Sequence, residues 1–307
     1  MTSNHRFPHI NRFSSGMVLI VYNFDPVKIH VLVSPDDSFA NATYIIETPN
    51  YAVLVDTQYK DKYSKDFKKY GDGLNKPGVI IITHAHPDHY LGLDNFEDID
   101  RYALKEVTEE IKKNGEFMLE EYKKTNKNDQ HKKLVLPNKE IKEGETVIDG
   151  VKFVYKKYVN AESEVQLVIE LPELDTIIVQ DIMSYGYHPW LRTTDLTNWI
   201  DILTSLRNGR RFSLVLPGHG FPAVHEAYDS MIRYLMYAQE VFKYYAGNSR
   251  DDKEDKVDDK DDKNDNIDPN KLKDPKVQQK IKEALVKKYP VSRRKGAELI
   301  DMYLKLL

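Results

Sequence analysis

The segment Thr83-His84-Ala85-His86-Pro87-Asp88-His89 contains three of the ten histidines in a chain of 307 residues. It directly follows the apolar run Val79–Ile82, whose composition is typical of a buried strand. Side chains at the end of a strand have rigid support, while the loop that follows allows several of them to converge. The segment therefore predicts a site at the end of a strand, and its imidazole and carboxylate groups are ligands for divalent metals.

The spacing within this segment predicts two half-sites side by side. His84 and His86 are two residues apart, so extended backbone directs both side chains to the same side. Asp88 and His89 are adjacent, so they can diverge toward a second position.

The overall composition limits the chemistry further. The chain has no cysteine, which excludes disulfides, thiolate metal ligands and cysteine nucleophiles. A metal must therefore be held by histidine, aspartate and glutamate. The net charge of -4 gives no basic excess and argues against nucleic acid as a partner.

Strands are expected on both sides of the histidine segment, because β-branched runs alternate with turn residues. The predicted strands are 17–22, 28–33, 43–48, 51–56, 78–83, 100–104, 133–136, 151–158, 164–171, 175–180 and 212–216. The first four follow one another too closely for intervening helices and are expected to pair as antiparallel hairpins. The predicted helices are 59–70, 105–125, 195–207, 223–246, 276–288 and 292–306. Together these elements indicate sheets packed between helices.

The C-terminal quarter of the chain differs in composition from the rest. Residues 249–267 are Asp/Lys repeats with almost no apolar side chains, so burial cannot offset the entropy of ordering them. We expect a catalytic domain at 1–248, a disordered insert at 249–275 and helices at 276–307 that pack on the domain.

The histidine segment resembles the signature of the metallo-β-lactamase superfamily, and the resemblance covers about residues 17–225. It implies an α/β (α+β) fold: a four-layer αβ/βα sandwich of two mixed β-sheets flanked by helices, here with a C-terminal helical extension. It also implies one or two divalent ions, usually Zn²⁺, with Mn²⁺ or Fe²⁺ as alternatives.

Three further segments match the family pattern in the expected order. Asp56 in Leu54–Thr57 resembles the aspartate that orients the metal loop, here the segment His84–His89, since outer carboxylates orient histidine ligands. Asp181, after Ile177–Gln180, corresponds to the aspartate shared by both metals. His219, between two glycines in Leu216–Gly220, corresponds to the histidine of the second site. The second site is therefore predicted to contain Asp88, His89, Asp181 and His219.

The sequence departs from the family at the first site. Most members have a further histidine before the shared aspartate, but the matching segment 159–167 contains none. Glu162 is the favoured replacement beside His84, His86 and Asp181, with Glu164, His188 or an incomplete site as alternatives. His131 lies in the charged segment 126–133 and is expected in a solvated loop.

The resemblance implies hydrolysis by metal-activated water, with Asp88 as metal ligand and proton acceptor. Tyr185 and His188 follow the shared aspartate and are candidates for substrate contact. A small ester, lactone, thioester or β-lactam is the expected substrate. The alternative is a metal-binding pseudoenzyme or sensor that lost one ligand.

The N-terminal segment carries no apolar stretch of the kind found in secretory signals, and the longest apolar runs, such as Met17–Tyr22, are too short to span a membrane. We therefore expect a cytoplasmic protein that does not bind a membrane. The sequence is compatible with a monomer or a homodimer.

Overall fold

Two β-sheets form the centre of the protein in the computed structural model, which describes residues 8–191, 193–247 and 267–290 together with Ile300 and Leu304. Within those residues the first sheet has eight strands, ordered as in the sequence: β1 (His9–Arg12), β2 (Val18–Asn23), β3 (Lys28–Val33), β4 (Ala42–Glu47), β5 (Ala52–Val55), β6 (Gly78–Ile82), β7 (Asp100–Ala103) and β8 (Lys139–Glu140). Strands β1 to β5 are antiparallel, as expected from their short connections, and β5 to β8 are parallel.

The second sheet lies against the first. Its five strands among the described residues are β9 (Gly144–Ile148), β10 (Val151–Val159), β11 (Val165–Leu171), β12 (Thr176–Tyr185) and β13 (Leu214–Gly220). Their spatial order is β13-β12-β11-β10-β9. Only β12 and β13 pair in parallel, because a helical crossover joins them.

Helices cover the outer faces of both sheets. They are α1 (Asp61–Asp72), α2 (Pro87–Tyr90), α3 (Lys105–Thr125), α4 (Thr197–Asn208), α5 (Ala227–Ala246), α6 (Pro269–Leu272) and α7 (Pro275–Lys288). Helices α1 and α3 share a core with the first sheet, whereas α4, α5 and α7 pack on the second. The architecture is the four-layer αβ/βα sandwich that the resemblance implied.

The alternation of side chains along β12 shows how the second sheet packs against both the first sheet and the outer helices. Ile178 points into the core between the sheets, whereas its neighbours Ile177 and Val179 pack against the outer helices. Both faces of β12 are buried, which explains the uninterrupted apolar run Ile177–Val179 near its start.

Most predicted elements are present, but the strand predicted at 133–136 is wrong. The backbone there has no ladder partner: the carbonyl of Leu136 accepts a hydrogen bond from Arg101 Nε at 3.1 Å, and Leu134 packs against Gly115 of α3. Strands β1, β8 and β9 and the single-turn helices α2 and α6 were not predicted.

The C-terminal predictions are described only in part. Residues 249–266 of the predicted insert lie outside the described residues, whereas 267–275 contain α6 and the first residue of α7. The helix predicted at 292–306 also lies outside them, apart from the buried residues Ile300 and Leu304. Among the described residues, no helix combines the length and apolar character needed to cross a membrane.

Candidate metal centre

The first sheet contributes side chains from the carboxyl ends of two neighbouring parallel strands. Asp56 follows β5 and His84 follows β6, so the two residues are adjacent in space. Helix α2 then begins with Pro87 at its first position, where proline's fixed φ and missing N–H favour helix initiation. This turn carries Asp88 and His89 toward the same point.

The second sheet contributes Asp181 from β12 and His219 from the neighbouring strand β13. Glycine at 218 makes this approach possible, because a Cβ atom there would lie 1.6 Å from Oδ1 of Asp181. His219 is further fixed by a bridge to Asn41, which precedes β4.

The predicted metal ligands form two groups that share Asp181. In each group, one donor atom from every residue lies within 4.8 Å of the others. The first group contains His84, His86, Glu162 and Asp181, and the second contains Asp88, His89, Asp181 and His219.

Asp181 lies at the junction of these groups. Its Oδ2 is 3.5 Å from Nε2 of His84 and 3.2 Å from Nε2 of His219, and its Oδ1 is 3.3 Å from Nε2 of His89. Asp88 Oδ2 is in turn 3.3 Å from Nε2 of both His89 and His219. The carboxylate of Asp181 therefore contacts donor atoms of both groups.

Hydrogen bonds fix the tautomer of the histidines. Nδ1 of His89 lies 2.9 Å from Asp56 Oδ2, and Nδ1 of His219 lies 2.9 Å from the carbonyl oxygen of Phe39. Both partners are acceptors, so each Nδ1 carries a proton and, in the neutral ring, leaves the lone pair on Nε2. These two imidazoles therefore direct a metal-binding lone pair at Asp181.

His84 reaches the same tautomer through Thr83. The Thr83 hydroxyl donates its only proton to Asp56 at 2.6 Å, so it accepts a hydrogen bond from Nδ1 of His84 at 3.1 Å. Nε2 of His84 is buried, faces Asp181 and Glu162, and has no hydrogen-bond partner among the described residues.

Asp56 supports the centre without entering the metal groups that contain Asp181. Its carboxylate is fully buried and accepts hydrogen bonds from Thr83, His89 and Gln180, the last at 2.5 Å. Asp56 and Gln180 both have left-handed backbone, with φ of 58° and 44°. Such strain in non-glycine residues is concentrated at functional sites.

The electrostatics of the cluster favour bound positive charge. Burial opposes the charged forms, but Asp181 and Asp88 outweigh it, raising the pKa of His219 to about 9 and that of His89 well above its ordinary value. Burial likewise opposes ionisation of Asp88 and Asp181, yet the neighbouring histidines hold the pKa of both carboxyls low.

His84 and His86 differ in their electrostatic setting. Burial, aided by His89, lowers the pKa of His84. For His86, the carboxylate of Glu162 outweighs burial and raises the pKa. A divalent cation would replace the protons that these carboxylates attract, since metal binding releases protons from its ligands.

The donor set fits a divalent metal ion. Both carboxylate oxygens of Glu162 and Oδ1 of Asp181 are buried and lack hydrogen-bond partners among the described residues. Buried polar atoms without partners are rare because desolvation is costly. Their convergence with the lone pair of His84 is the arrangement that a cation would satisfy.

Two of the alternative residues do not join these groups. Glu164 is exposed, and His188 lies outside both groups, with its Nδ1 2.7 Å from the hydroxyl of Tyr234 on α5. Burial lowers the pKa of His188 to about 4. Tyr185 ends β12 beside Gly220 and is 42% exposed.

The expectation that His131 is solvated is wrong. The ring is buried, with Nδ1 3.1 Å from Asp94 and Nε2 2.9 Å from the carbonyl oxygen of Tyr59. These partners are distant in sequence and give the charged segment 126–133 a buried anchor. His131 belongs to a separate group with Asp61 and Asp94.

Sequence reasoning missed three polar residues of the centre: Asn41, Thr83 and Gln180. Asn41 Nδ2 donates to Asp88 Oδ2 at 3.3 Å. Thr83 and Gln180 are immediate chain neighbours of His84 and Asp181, and that adjacency was the available signal. Asn41 carries no comparable signal, since it approaches only through the fold.

A groove of about 650 Å³ opens beside the first group. His86 reaches it from the metal loop, α3 supplies one wall, and residues 163–165 supply the other. The wall-forming side chains include Glu106, Glu110 and Lys113. A small molecule in this groove would lie against His86.

Comparison with known proteins agrees with this geometry. The sequence pattern described as "Metallo-beta-lactamase superfamily" matches residues 36–219, which is more than half of the chain. The chain belongs to the metallo-β-lactamase superfamily. The matched region begins before β4 and ends at His219, so it contains every residue of both candidate ligand groups.

Solved metallo-β-lactamases share the fold at low sequence identity. The enzyme from Pontibacter korlensis has a TM-score of 0.52 at 13% identity, covering 75% of this chain and 99% of its own. FIM-1 from Pseudomonas aeruginosa, in its mono-zinc form, has a TM-score of 0.52 at 17% identity, covering 76% and 97%. The protein from Erythrobacter litoralis has a TM-score of 0.52 at 17% identity, covering 74% and 99%. No curated protein matches the sequence significantly.

Proposed function

We propose that this protein is a metal-dependent hydrolase that uses activated water on a small ester, lactone, thioester or β-lactam-type substrate. The observation that carries the proposal is the position of Asp181, which is shared by two ligand groups beside an open groove. Superfamily membership supports hydrolysis in general, while the substrate class is our inference from the family resemblance, and the groove has room for a small molecule.

We propose one or two Zn²⁺ ions as the cofactor, with Mn²⁺ or Fe²⁺ as alternatives. His84, His86, Glu162 and Asp181 would hold one ion, and Asp88, His89, Asp181 and His219 would hold the other. A divalent ion bound there lowers the pKa of water and polarises a carbonyl or phosphoryl oxygen. The mono-zinc form of FIM-1 from P. aeruginosa supports zinc by analogy.

Asp88 is the proposed proton acceptor. The neighbouring His89 and His219 outweigh its burial and hold its pKa below the ordinary value, so the carboxylate is ionised at neutral pH. Asn41 donates to Oδ2, which leaves Oδ1 available to take a proton from water.

Substrate would approach along the groove beside His86. Tyr185 does not line this groove; it is exposed beside Gly220 at the end of the strand that carries Asp181, and we propose that its ring contacts a part of the substrate that extends toward the second group. We assign His188 no role in this mechanism, because it lies outside both ligand groups and its Nδ1 is engaged with Tyr234.

The competing function is a metal-binding pseudoenzyme or sensor. Its motivation is the absence of histidine from 159–167. The buried carboxylate of Glu162 beside His84 and His86 weakens that motivation, because the position has a donor. A sensor would bind metal and show no turnover.

A hydrolase panel distinguishes the two functions. The metal-depleted chain is assayed on esters, lactones, thioesters and β-lactams, with and without added Zn²⁺, Mn²⁺ or Fe²⁺. We expect metal-dependent turnover that His219→Ala abolishes, and His9→Ala, in an exposed strand, is the matched control. Metal binding without turnover on any class would favour the sensor.

A further inference from the structure

Glu162 is a buried carboxylate without hydrogen-bond partners among the described residues. Its side chain is 1% exposed, and within the described part of the chain no group donates a well-aligned hydrogen bond to either oxygen. Oε1 lies 3.1 Å from Nδ1 of His86, and Oε2 lies 3.9 Å from Nε2 of His84. Taking a charge out of water is costly unless a partner compensates it.

The loop that carries Glu162 is fixed from both sides. Asn198 of α4 donates through Nδ2 to the carbonyl oxygens of Val159 and Asn160, at 2.9 and 2.8 Å. Asn160 has left-handed backbone, with φ of 52°, and its N–H donates to the carbonyl oxygen of Glu164. The loop therefore has an anchored conformation that holds Glu162 inward.

The metal loop and the Glu162 loop are also joined directly. The N–H of Leu167 donates to the carbonyl oxygen of Thr83 at 2.9 Å. His84 and Glu162 consequently belong to one hydrogen-bonded unit rather than to independent loops.

Glu162 gives the two half-sites the same donor set. Each contains two imidazoles and two carboxylates, with Asp181 counted in both. The complete set holds three carboxylates, Asp88, Glu162 and Asp181, against two divalent ions. A histidine at the Glu162 position would remove one of these charges and make the half-sites unequal.

We propose that Glu162 is a metal ligand that makes the centre a matched pair of oxygen-rich sites, and that it shifts metal preference from Zn²⁺ toward Mn²⁺ or Fe²⁺. The inference rests on the proposed metal centre and not on any particular substrate. Carboxylate oxygen suits Mn²⁺ better than imidazole does, whereas imidazole suits Zn²⁺ well. The predicted quantity is the Mn²⁺/Zn²⁺ affinity ratio, because Zn²⁺ has the higher intrinsic affinity for most sites.

The experiment compares wild type, Glu162→Gln, Glu162→His and Glu164→Gln. Glu164 is the exposed neighbour and provides the matched control. Each metal-depleted full-length protein is titrated with Mn²⁺ and with Zn²⁺ against a competing chelator, and bound metal is counted by elemental analysis. The Mn²⁺ form is also examined by electron paramagnetic resonance, which detects coupling between neighbouring ions.

We expect wild type and Glu164→Gln to bind two Mn²⁺ with a coupled spectrum. Glu162→Gln should lose the coupled spectrum and weaken one Mn²⁺ site about tenfold or more. Glu162→His should retain two Zn²⁺ ions while its Mn²⁺/Zn²⁺ affinity ratio falls about tenfold. Circular dichroism of the metal-depleted variants verifies that they fold, and Glu162→His supplies the test if Glu162→Gln does not.

Unchanged Mn²⁺ stoichiometry and affinity in folded Glu162→Gln would overturn the assignment of Glu162 as a ligand. An unchanged affinity ratio in Glu162→His would overturn the claim about metal preference. These measurements involve no substrate, so a failure of the proposed hydrolysis would be seen separately.

Discussion

Asp56 Oδ2 lies 2.9 Å from Nδ1 of His89 and accepts its hydrogen bond in a fully buried setting. The same carboxylate accepts from Thr83, which in turn sets the tautomer of His84. One residue thus orients donors in both half-sites, His89 directly and His84 through Thr83, although its own carboxylate belongs to neither group that contains Asp181.

Replacing Asp56 by asparagine tests this relationship. The Asp56 carboxylate accepts four hydrogen bonds, two from Thr83 and one each from His89 and Gln180. An amide NH₂ group in its place must face at least one of these donors and lose that hydrogen bond, which loosens the orientation of the metal ligands. We expect metal affinity to fall about 10- to 100-fold. Isothermal titration with Zn²⁺ measures it, and Asp98→Asn, exposed beside Lys68, is the control. Unchanged affinity in a folded Asp56→Asn variant would contradict the orienting role.

Gly218→Ala tests the space that Asp181 requires. The added methyl group would lie 1.6 Å from Oδ1 of Asp181, so the carboxylate must move away from both half-sites. We expect both ions to be lost or strongly weakened. The control is Gly71→Ala in α1, where the nearest neighbour of the added Cβ atom would be a methyl group of Leu54 at 3.4 Å. This variant should bind metal as wild type does. Elemental analysis of dialysed protein counts the bound ions. Two tightly bound ions in Gly218→Ala would refute the claim that Asp181 needs this space.

Glu47 provides a pH-dependent contribution to stability away from the metal centre. Burial raises the pKa of its carboxyl, but hydrogen bonds from Lys76 and His30, at 2.7 and 2.9 Å, outweigh this and lower the pKa below 4.5. Because the pKa of Glu47 is lower in the folded state, its ionised carboxylate stabilises the fold above pH 4.5. This contribution is lost as the pH falls through the folded-state pKa.

Glu47→Gln should therefore lower the free energy of unfolding by about 2 kcal/mol at pH 7, and by less as the pH falls from 5 to 3. Urea unfolding of wild type and Glu47→Gln, both metal-free in chelator, measures their free energies of unfolding at each pH without interference from metal loss. The exposed Glu120→Gln, paired with Lys123, should change stability little at any pH. A Glu47→Gln difference that stays constant with pH would be inconsistent with this explanation.

Tyr185→Ala tests substrate contact. Tyr185 is 42% exposed and belongs to neither ligand group, so its removal should leave metal content unchanged and stability little changed. We expect kcat/KM on the best substrate of the panel to fall about tenfold, equivalent to about 1.4 kcal/mol of lost transition-state stabilisation. Tyr244→Ala on α5 is a control with an exposed tyrosine. Equal kinetics in the two variants would remove Tyr185 from the substrate site.

Local sequence was sufficient for features whose signal is contiguous. The run before His84 predicted β6, and the histidine segment predicted ligands at its end. Asp181 and His219 were located from their places in the family pattern, and each follows an apolar run in the sequence. Glu162 was favoured from its place in a family pattern, and the fold brings its carboxylate to His86.

Features that depend on residues distant in sequence could not be predicted from local sequence. His131 lies among charged residues, and its burial depends on Asp94 and Tyr59, which are distant in sequence. The run 133–136 has strand composition, but Arg101 takes the carbonyl of Leu136 that a sheet would need. Asn41 reaches Asp88 only after β4 has packed beside the metal loop.

Metal-dependent turnover is the central claim, and Asp88→Ala provides its most direct measurement. The substrate that wild type hydrolyses fastest is assayed with chelated protein, with protein reloaded with Zn²⁺ or Mn²⁺, and with reloaded Asp88→Ala. We expect chelation to abolish turnover, metal to restore it, and Asp88→Ala to reduce kcat by about 100-fold or more. Turnover that survives both chelation and Asp88→Ala would contradict a hydrolase built on this centre.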